Sequence, residues 1–311
     1  MYFGERRTGC RFYEFIFKNY RCLYLENDVI RTVIMLDKGT DIISFVDKKS
    51  DTEFVWTNPM GISCLDKINF AKMDNNCISD NYPGGWFEIL PNVGNECTIL
   101  NKHFPKHGEI SYLPWDYSII EDSADKIKLL FITRLSKYPF EVRKHLTVKR
   151  NSPTLYFDEE FINLGYISVP YLWGFHPNIG KPFLDENCVF ELPFTKEHFE
   201  MPAEGSHKNG LWYFENVETP YGCVYNKNTG IGIEVEWDNR LMKHCWLWIN
   251  SGYDCGHHHC DGTYVCCILP TSAKNSAGLE ILSNEGSALI LNPQQVEKHS
   301  YKIGTASKKI L

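Results

Sequence analysis

The stretch "IGIEVEWD", residues 231–238, alternates apolar and polar residues along most of its length. Successive side chains of a β-strand point to opposite faces of a sheet, so residues two apart share a face. One face of this stretch is apolar, and it carries Ile231, Ile233, Val235 and Trp237. The pattern predicts a strand with one buried face.

The same period recurs elsewhere in the chain. "KIKLLFITRL", residues 126–135, places Ile127, Leu129 and Phe131 on one face. "TLYFDEEFINLG", residues 154–165, has an apolar face with Glu159 in its midst. "HCWLWIN" and "SALILNP" are further short β-rich runs, and turn signals such as "RNSP", "NKNTG" and "SNEG" separate these segments.

Together these patterns predict an all-β fold, a wide sandwich of two large antiparallel sheets. Only residues 66–73, "DKINFAKM", suggest a short helix. With no composition break that would mark a linker, residues 1–311 are expected to form one domain.

Net charge and composition argue against some classes of partner and function. The formal net charge is −7 and no basic cluster stands out, which argues against nucleic acid and anionic membranes as partners. No apolar run is long enough to span a bilayer, and charges occupy the place where a signal peptide is apolar, so we expect a cytoplasmic protein. Aromatic residues make up 14% of the chain, which suits β-structure and pockets that stack on sugar rings.

The 12 cysteines are scattered without a short repeated spacing. In a cytosolic protein this favours free, mostly buried thiols over a disulfide framework. "CGHHHC", residues 255–260, is the exception, because Cys and His can bind zinc. Neighbouring residues on one loop point apart, however, so we expect no structural zinc there; a loop over a pocket and a plain solvated loop remain alternatives.

Three segments combine polar side chains with turn residues. "GGWFEILPNVGNE" offers Glu88 and Asn92 to a polar ligand, although it is also compatible with a simple turn. "FPKHGEISYLPWDY" contains His107 before a glycine, which on its own is a weak signal. "YLWGFHPNIGKPF" places His176 at a strand end beside a turn, where it is either a pocket-rim residue or a hydrogen-bonded core histidine.

In this order, "GGWFEILPN", "HGEISYLPW" and "WGFHP" resemble the motifs of the aldose 1-epimerase family, the galactose mutarotase-like proteins, most closely its bacterial branch. The resemblance covers most of the chain. It implies a β-supersandwich that interconverts sugar anomers without a cofactor, with a small-molecule sugar as partner. The chain is expected to be a monomer or homodimer.

The resemblance also assigns roles. Opening a cyclic hemiacetal needs a base for the C1 hydroxyl and an acid for the ring oxygen. His107 and His176 match the family's two histidines, and His176 is the expected acid. We expect the two to converge in a polar pocket with Glu88 or Asn92 on its rim.

The sequence departs from the family at the position of the general base. The family's carboxylate precedes a proline after a Trp-x-Trp strand, but here Leu269 precedes Pro270. Leucine cannot accept a proton. Substitute bases, which sequence cannot rank, are Glu88, Glu109, Asp254 and Asp261.

Three more residues complete the expected binding set, together with Glu88, Asn92 and Glu109. Arg143 matches a basic position of the family, or is a surface ion-paired residue. Trp173 and Trp248 are sugar-stacking platforms or core residues. The rival functions are a sugar-binding or sensing protein that has lost its base and, from "CGHHHC" alone, a metal-dependent hydrolase or lyase.

Overall fold

A computed structural model describes residues 6–59, 61–65, 83–252 and 263–308. The helix suggested at residues 66–73, the "CGHHHC" loop, Asp254 and Asp261 lie outside these ranges. The described chain is built almost entirely of strands. In chain order they are β1 (Arg11–Phe17), β2 (Tyr20–Glu26), β3 (Ile30–Met35), β4 (Asp41–Asp47), β5 (Thr52–Glu53), β6 (Trp86–Ile89), β7 (Cys97–Ile99), β8 (Lys102–Phe104), β9 (Asp116–Asp122), β10 (Lys126–Arg134), β11 (Phe140–Lys149), β12 (Thr154–Asn163), β13 (Val169–Tyr171), β14 (Gly174–Pro177), β15 (Ile179–Gly180), β16 (Cys188–Glu191), β17 (Asn209–Phe214), β18 (Tyr221–Asn226), β19 (Ile231–Trp237), β20 (His244–Ser251), β21 (Tyr264–Thr271), β22 (Leu289–Leu291) and β23 (Val296–Ser307).

Two large antiparallel sheets organise these strands. The first has eleven strands along the path β1-β2-β3-β4-β6-β14-β21-β20-β17, with β5 beside β4 and β15 beside β21. The second has eight strands in the order β16-β18-β19-β23-β12-β11-β10-β9. Two small ribbons, β13-β22 and β7-β8, accompany them. The all-β prediction of two large antiparallel sheets is confirmed.

The alternation read from the sequence sets the faces of the strands. In β10, β12 and β19 the predicted apolar positions are mostly buried, in a core shared by the two sheets. Phe175 of the first sheet contacts Phe157 and Tyr301 of the second, at ring-centroid distances of 6.5 and 4.6 Å. We call the side of the eleven-stranded sheet that meets the second sheet its interior face, and the opposite side its outer face.

Strands β6 and β14 pair at the centre of the first sheet and decide which side chains share a face. His176 lies opposite Phe87, and Phe175 lies opposite Glu88. Directly paired residues in an antiparallel sheet point to the same side. Because Phe175 points to the interior, Glu88 does so too, while His176 and Phe87 point to the outer face.

Helix is scarce among the described residues. There is one α-helix of six residues, α1 (Leu279–Asn284), and a 3₁₀ turn over Ile110–Tyr112. The sequence reading missed α1, whose only signal is a pair of leucines three residues apart, Leu279 and Leu282, both buried. None of the described helices is long and apolar enough to cross a membrane.

The cysteines that the structure describes are free thiols, and all but Cys64 are buried. This agrees with the expectation from their spacing. They pack as small hydrophobic residues.

Candidate functional site

His176 lies on β14, on the outer face, with only 6% of its surface exposed. The ring of Phe87 on β6 stacks against it, at a centroid distance of 4.7 Å and an interplanar angle of 9°. On the other neighbouring strand, β21, the thiol Sγ of Cys267 lies 3.4 Å from His176 Nδ1. Contacts from both neighbouring strands thus hold the ring.

His107 reaches the same place from the loop before the 3₁₀ turn. Its backbone has a φ of 67°, in the left-handed region that non-glycine residues rarely adopt. Two hydrogen bonds hold it: the His107 N–H donates to Gly94 O, and the Gly94 N–H donates to His107 Nδ1 at 3.4 Å. Gly108 follows with a φ of 76°, and a Cβ there would lie 2.3 Å from Leu90 O. Glycine is therefore required where this loop approaches Leu90, the residue after β6.

The two imidazoles meet. Their ring centroids are 5.5 Å apart and the planes are inclined by 66°. The half-buried ring of Trp248, on β20, lies 6.1 Å from that of His176. The convergence expected from the sequence is present, and we call His107 and His176 the histidine pair. The catalytic roles of the two rings stay predictions.

Hydrogen bonds to Nδ1 bear on the tautomers of the pair. A backbone N–H can only donate, so Nδ1 of His107 accepts, and a neutral His107 carries its proton on Nε2. Burial raises the pKa of the Cys267 thiol well above its usual value, so the thiol keeps its proton. It can therefore donate to Nδ1 of His176, and in that arrangement the ring proton of a neutral His176 is on Nε2.

Leu269 lies on the same outer face, two residues beyond Cys267 on β21. Its partner across the sheet is Trp246, and the partner of Cys267 is Trp248. Leu269 is 2% exposed and belongs to the hydrophobic core. The position where the resemblance expects a base is therefore occupied by packed hydrocarbon. Two of the substitute carboxylates, Asp254 and Asp261, lie outside the described residues.

Glu88 does not lie on the rim of the histidine pair, so that expectation is wrong. It points to the interior face, where it accepts hydrogen bonds from Lys144 Nζ at 2.6 Å and from the Tyr301 hydroxyl at 2.9 Å. It is 2% exposed. The physical reason is the two-residue period of β6, which turns Glu88 away from its neighbour Phe87.

Glu159 completes this arrangement. Its carboxyl group is buried on β12, beside Lys144 on the adjacent strand. Both of its oxygens, and Oε2 of Glu88, lack a hydrogen-bond partner when the two groups are treated as carboxylates. Burial, followed by the nearby charge of Glu88, raises the pKa of Glu159 well above its ordinary value. A protonated Glu159 can donate to Glu88, which gives Oε2 of Glu88 and one oxygen of Glu159 a partner.

A second buried ion pair, Lys38 with Asp41, adjoins the first. Burial raises the pKa of Asp41 to about 6, opposed by the charge of Lys38. We call Lys38, Asp41, Glu88, Lys144, Glu159 and Tyr301 the interior polar cluster. Its charges balance at two positive and two negative when Glu159 is neutral. The adjoining cavity, lined in part by Glu88, Lys144 and Tyr301, has a volume of about 10 Å³, far too small for a sugar.

Trp173 belongs to the interior as well, which is the core alternative for this residue, and it does not lie on the face of the histidine pair. It is fully buried and meets the ring of His299 edge-on at 4.1 Å. Burial lowers the pKa of His299 to about 3, so this histidine is neutral. Trp173 precedes β14 by one residue and so falls on the same side as Phe175.

Asn92 is fully buried, with its amide committed to backbone groups. Its Nδ2 donates to Asn95 O at 2.7 Å and to Pro105 O at 3.0 Å, and its Oδ1 accepts from the Leu279 N–H at 2.8 Å. These bonds tie together the two ends of the segment that leads to His107. Asn92 therefore shapes the loop of His107.

Glu109 and Arg143 are likewise occupied elsewhere. Glu109 is buried and accepts from the Lys137 N–H at 3.0 Å, and burial raises its pKa. Arg143 lies on the side of β11 that faces away from the core and donates to Glu141 Oε1 at 2.7 Å. The ion-paired alternative for Arg143 describes it correctly.

The sequence reading missed Lys144 and Tyr301, and it did not use Glu159. The signal was available. Lys144 interrupts the apolar alternation of β11 between Val142 and Leu146, as Glu159 interrupts that of β12. A charge on an apolar strand face predicts a buried, compensated group. Within the described ranges, no group of three or more His, Cys, Asp or Glu residues is placed to hold a metal ion.

Comparison with known proteins assigns the family. The sequence model of a family described as "Domain of unknown function (DUF4432)" matches residues 18–305. The chain belongs to this family. No curated protein shows detectable similarity to it.

Solved structures share the fold of this DUF4432 member at low sequence identity. A protein from Klebsiella pneumoniae, proposed to be an aldose 1-epimerase, has a TM-score of 0.78 at 14% identity, over 96% of this chain and 88% of that one. A galactose mutarotase-like protein from Clostridium acetobutylicum has a TM-score of 0.67 at 13% identity, over 96% and 99% of the two chains. A second proposed aldose 1-epimerase, from Escherichia coli, has a TM-score of 0.61 at 13% identity, over 96% and 100%. The DUF4432 member therefore has the galactose mutarotase-like fold.

Proposed function

We propose that this DUF4432 member binds a small-molecule sugar and interconverts its anomers, as an isomerase of the aldose 1-epimerase type. The observation that carries the proposal is the histidine pair, two imidazoles 5.5 Å apart on the outer face of the central strands. The three ordered motifs, which resemble the bacterial branch of the aldose 1-epimerases, and the shared fold support it.

The tautomers inferred for the histidine pair suit hydrogen bonds to a sugar oxygen. With Nδ1 of each ring as an acceptor, both neutral rings carry their proton on Nε2 and donate at that atom. A hydroxyl or ring oxygen of a sugar accepts such bonds. His176 donates its Nε2 proton to the ring oxygen as the hemiacetal opens, while the C1 hydroxyl gives its proton to water and a proton from that water returns to His176. Closure reverses these transfers, and His107 binds an oxygen beside the ring oxygen. The indole of Trp248 offers an apolar face to the sugar ring.

A second candidate, a sugar-binding protein without catalysis, is favoured by one observation. Leu269 fills the place of the expected base with a buried apolar side chain. An acid without a base retains only part of the catalytic machinery, because each contributes about 10² to 10⁴ in rate. In this alternative the same donors hold the sugar, and anomer exchange proceeds at its rate in water.

NMR exchange spectroscopy separates the two functions. The exchange rate between the anomers of each common aldose is measured with and without protein, and saturation-transfer difference spectra report binding of the same sugars. Accelerated exchange supports the isomerase. Binding without acceleration supports the second candidate, and the absence of both from a broad panel contradicts the proposal.

The matched variants are His176→Asn and His145→Asn. His145 lies on the face of β11 that points away from the core, so its replacement controls for the loss of an imidazole. For an isomerase, we expect His176→Asn to lower the accelerated rate by at least about 10²-fold and His145→Asn to leave it unchanged. Equal rates in the parent and a folded His176→Asn protein would remove His176 from the mechanism.

A further inference from the structure

The contact between Cys267 and His176 is unlike the other contacts of this ring. Phe87 stacks parallel to the imidazole and so fixes the plane in which it lies. A stacking contact is nearly unchanged when the ring is rotated by half a turn about its own axis. That rotation exchanges the Nδ1 and Cδ2 edges. Stacking alone therefore leaves open which edge faces β21.

The Cys267 thiol distinguishes the two edges. Its Sγ lies 3.4 Å from Nδ1, within the range of a hydrogen bond that involves sulfur, and both groups are buried. In the flipped ring a carbon-bound hydrogen would face the thiol and the bond would be lost. A buried polar group without a partner is disfavoured, so the contact selects one orientation.

The thiol also selects the tautomer. Cys267 sits between Cys266 and Ile268 on a strand whose side chains are all buried, where a thiolate is unfavourable. A protonated thiol has a hydrogen to donate, and when it does so Nδ1 is the acceptor. The His107 ring is held in the same way by the Gly94 N–H, so both members of the pair have Nδ1 as acceptor.

We propose that Cys267 is a positioning residue, which holds His176 in one ring orientation and in the tautomer with the proton on Nε2. This arrangement presents an N–H, instead of a bare ring nitrogen, on the side of His176 away from β21. This proposal deepens the proposed function. Only its expected effect on the rate of anomer exchange rests on that function. The structural part concerns this chain alone and needs no sugar.

The structural part is tested by a long-range ¹H–¹⁵N spectrum of protein labelled at histidine nitrogens, in which the two neutral tautomers give different nitrogen shifts. His176→Asn assigns the His176 signals. We expect the parent to show the Nε2–H form. Cys267→Ala should introduce the Nδ1–H form, and Cys267→Ser, which keeps a donor, should restore the parent pattern.

Cys266→Ala is the matched control. Cys266 is the neighbouring buried cysteine on β21 and points to the other side of the sheet, so its replacement creates a comparable cavity without touching the His176 bond. It should leave the His176 signals unchanged. If the parent shows the Nδ1–H form, or if Cys267→Ala keeps the parent tautomer, the proposal is overturned. Should Cys267→Ala fail to fold, the parent and Cys267→Ser spectra still decide it.

The kinetic part applies if the parent accelerates anomer exchange. We expect Cys267→Ala to slow the exchange by about 10-fold, the lower end of the effect of outer-shell partners on metal-bound histidines, with sugar binding retained. Cys267→Ser should recover most of the rate. A parent without activity contradicts the isomerase but leaves the tautomer result intact, so the two failures are distinguishable.

Discussion

The two faces of the central strands β6 and β14 use titratable side chains in opposite ways. On the outer face, His176 and Phe87 stack, and polar contacts engage Nδ1 of both imidazoles. On the interior face, one residue away along each strand, Glu88 and Phe175 enter a closed core in which carboxylates are balanced by lysines. Adjacent residues of a single motif therefore belong to different physical environments.

The interior face should be the more sensitive to loss of charge. Lys144→Met keeps the length of the side chain but leaves Glu88 buried without its cation. We expect the free energy of unfolding to fall by about 3–5 kcal/mol, the usual effect of breaking a buried pair. Urea denaturation measures this change in the free energy of unfolding.

Two further variants sharpen this test. Arg143→Met removes the neighbouring cation, which lies on the exposed side of β11, and should change the free energy of unfolding by less than about 1 kcal/mol. The double variant Lys144→Met with Glu88→Gln should recover part of the loss, because no buried charge is left unpaired. Similar effects of Lys144→Met and Arg143→Met would contradict the interpretation that Lys144 compensates the buried charge of Glu88.

The outer face depends on backbone geometry. Gly108→Ala places a Cβ 2.3 Å from Leu90 O at a φ of 76°, whereas Gly286, with a φ of 69°, has no atom within 4 Å of the same position. Both alanines incur the left-handed penalty of roughly 1–2 kcal/mol. We expect Gly108→Ala to lose about 1–3 kcal/mol more in the free energy of unfolding, from the clash.

The same variant should alter the histidine pair. Because Gly108 adjoins His107, a shift of this loop changes the 5.5 Å contact between the two rings. We expect altered His176 chemical shifts in Gly108→Ala and unaltered shifts in Gly286→Ala. Equal stability losses in the two variants would show that the close approach to Leu90 imposes no constraint.

The proton assigned to Glu159 predicts a pH dependence. A carboxyl group whose pKa is raised in the folded state stabilises the protein below its ordinary value of 4.5, and this contribution is lost as the pH rises towards the raised pKa. Glu159→Gln keeps a donor for Glu88 and has no such loss. The variant should therefore gain stability relative to the parent above pH 4.5, by at most about 1.4 kcal/mol per pH unit.

Denaturation with urea at a series of pH values measures this difference, and the titrations common to both proteins cancel in it. Parallel stability profiles would mean that Glu159 has an ordinary pKa and that the carboxyl pair shares no proton.

Periodicity made much of the fold predictable. Alternation in β10, β12 and β19 identified both the strands and their buried faces, because burial on one side of a sheet imposes a period of two on the residues. The three ordered motifs predicted that His107 and His176 converge, and their rings are adjacent in the structure. Helix α1 escaped detection because six residues carry too little periodic signal.

Side-chain partners were less predictable. The motif "GGWFEILPN" contains both Phe87 and Glu88, and motif membership alone assigned Glu88 to the ligand. Counting along β6 from Trp86 would have shown only that adjacent residues face opposite sides. Which side was the interior depended on the second sheet. The choice between the two alternatives for Trp173 depended on that sheet too.

The amino-acid sequence by itself determined the all-β class, the alternating faces and the presence of two histidines in a recurrent set of motifs, since these depend on local period and residue type. Tertiary structure alone decided that Lys144 and Tyr301 meet Glu88 across the sheets, that Cys267 meets His176, and that Leu269 is packed beside Trp246. These contacts join residues far apart in the chain. They depend on the order of strands and on which face of each sheet is covered, and no local pattern encodes either.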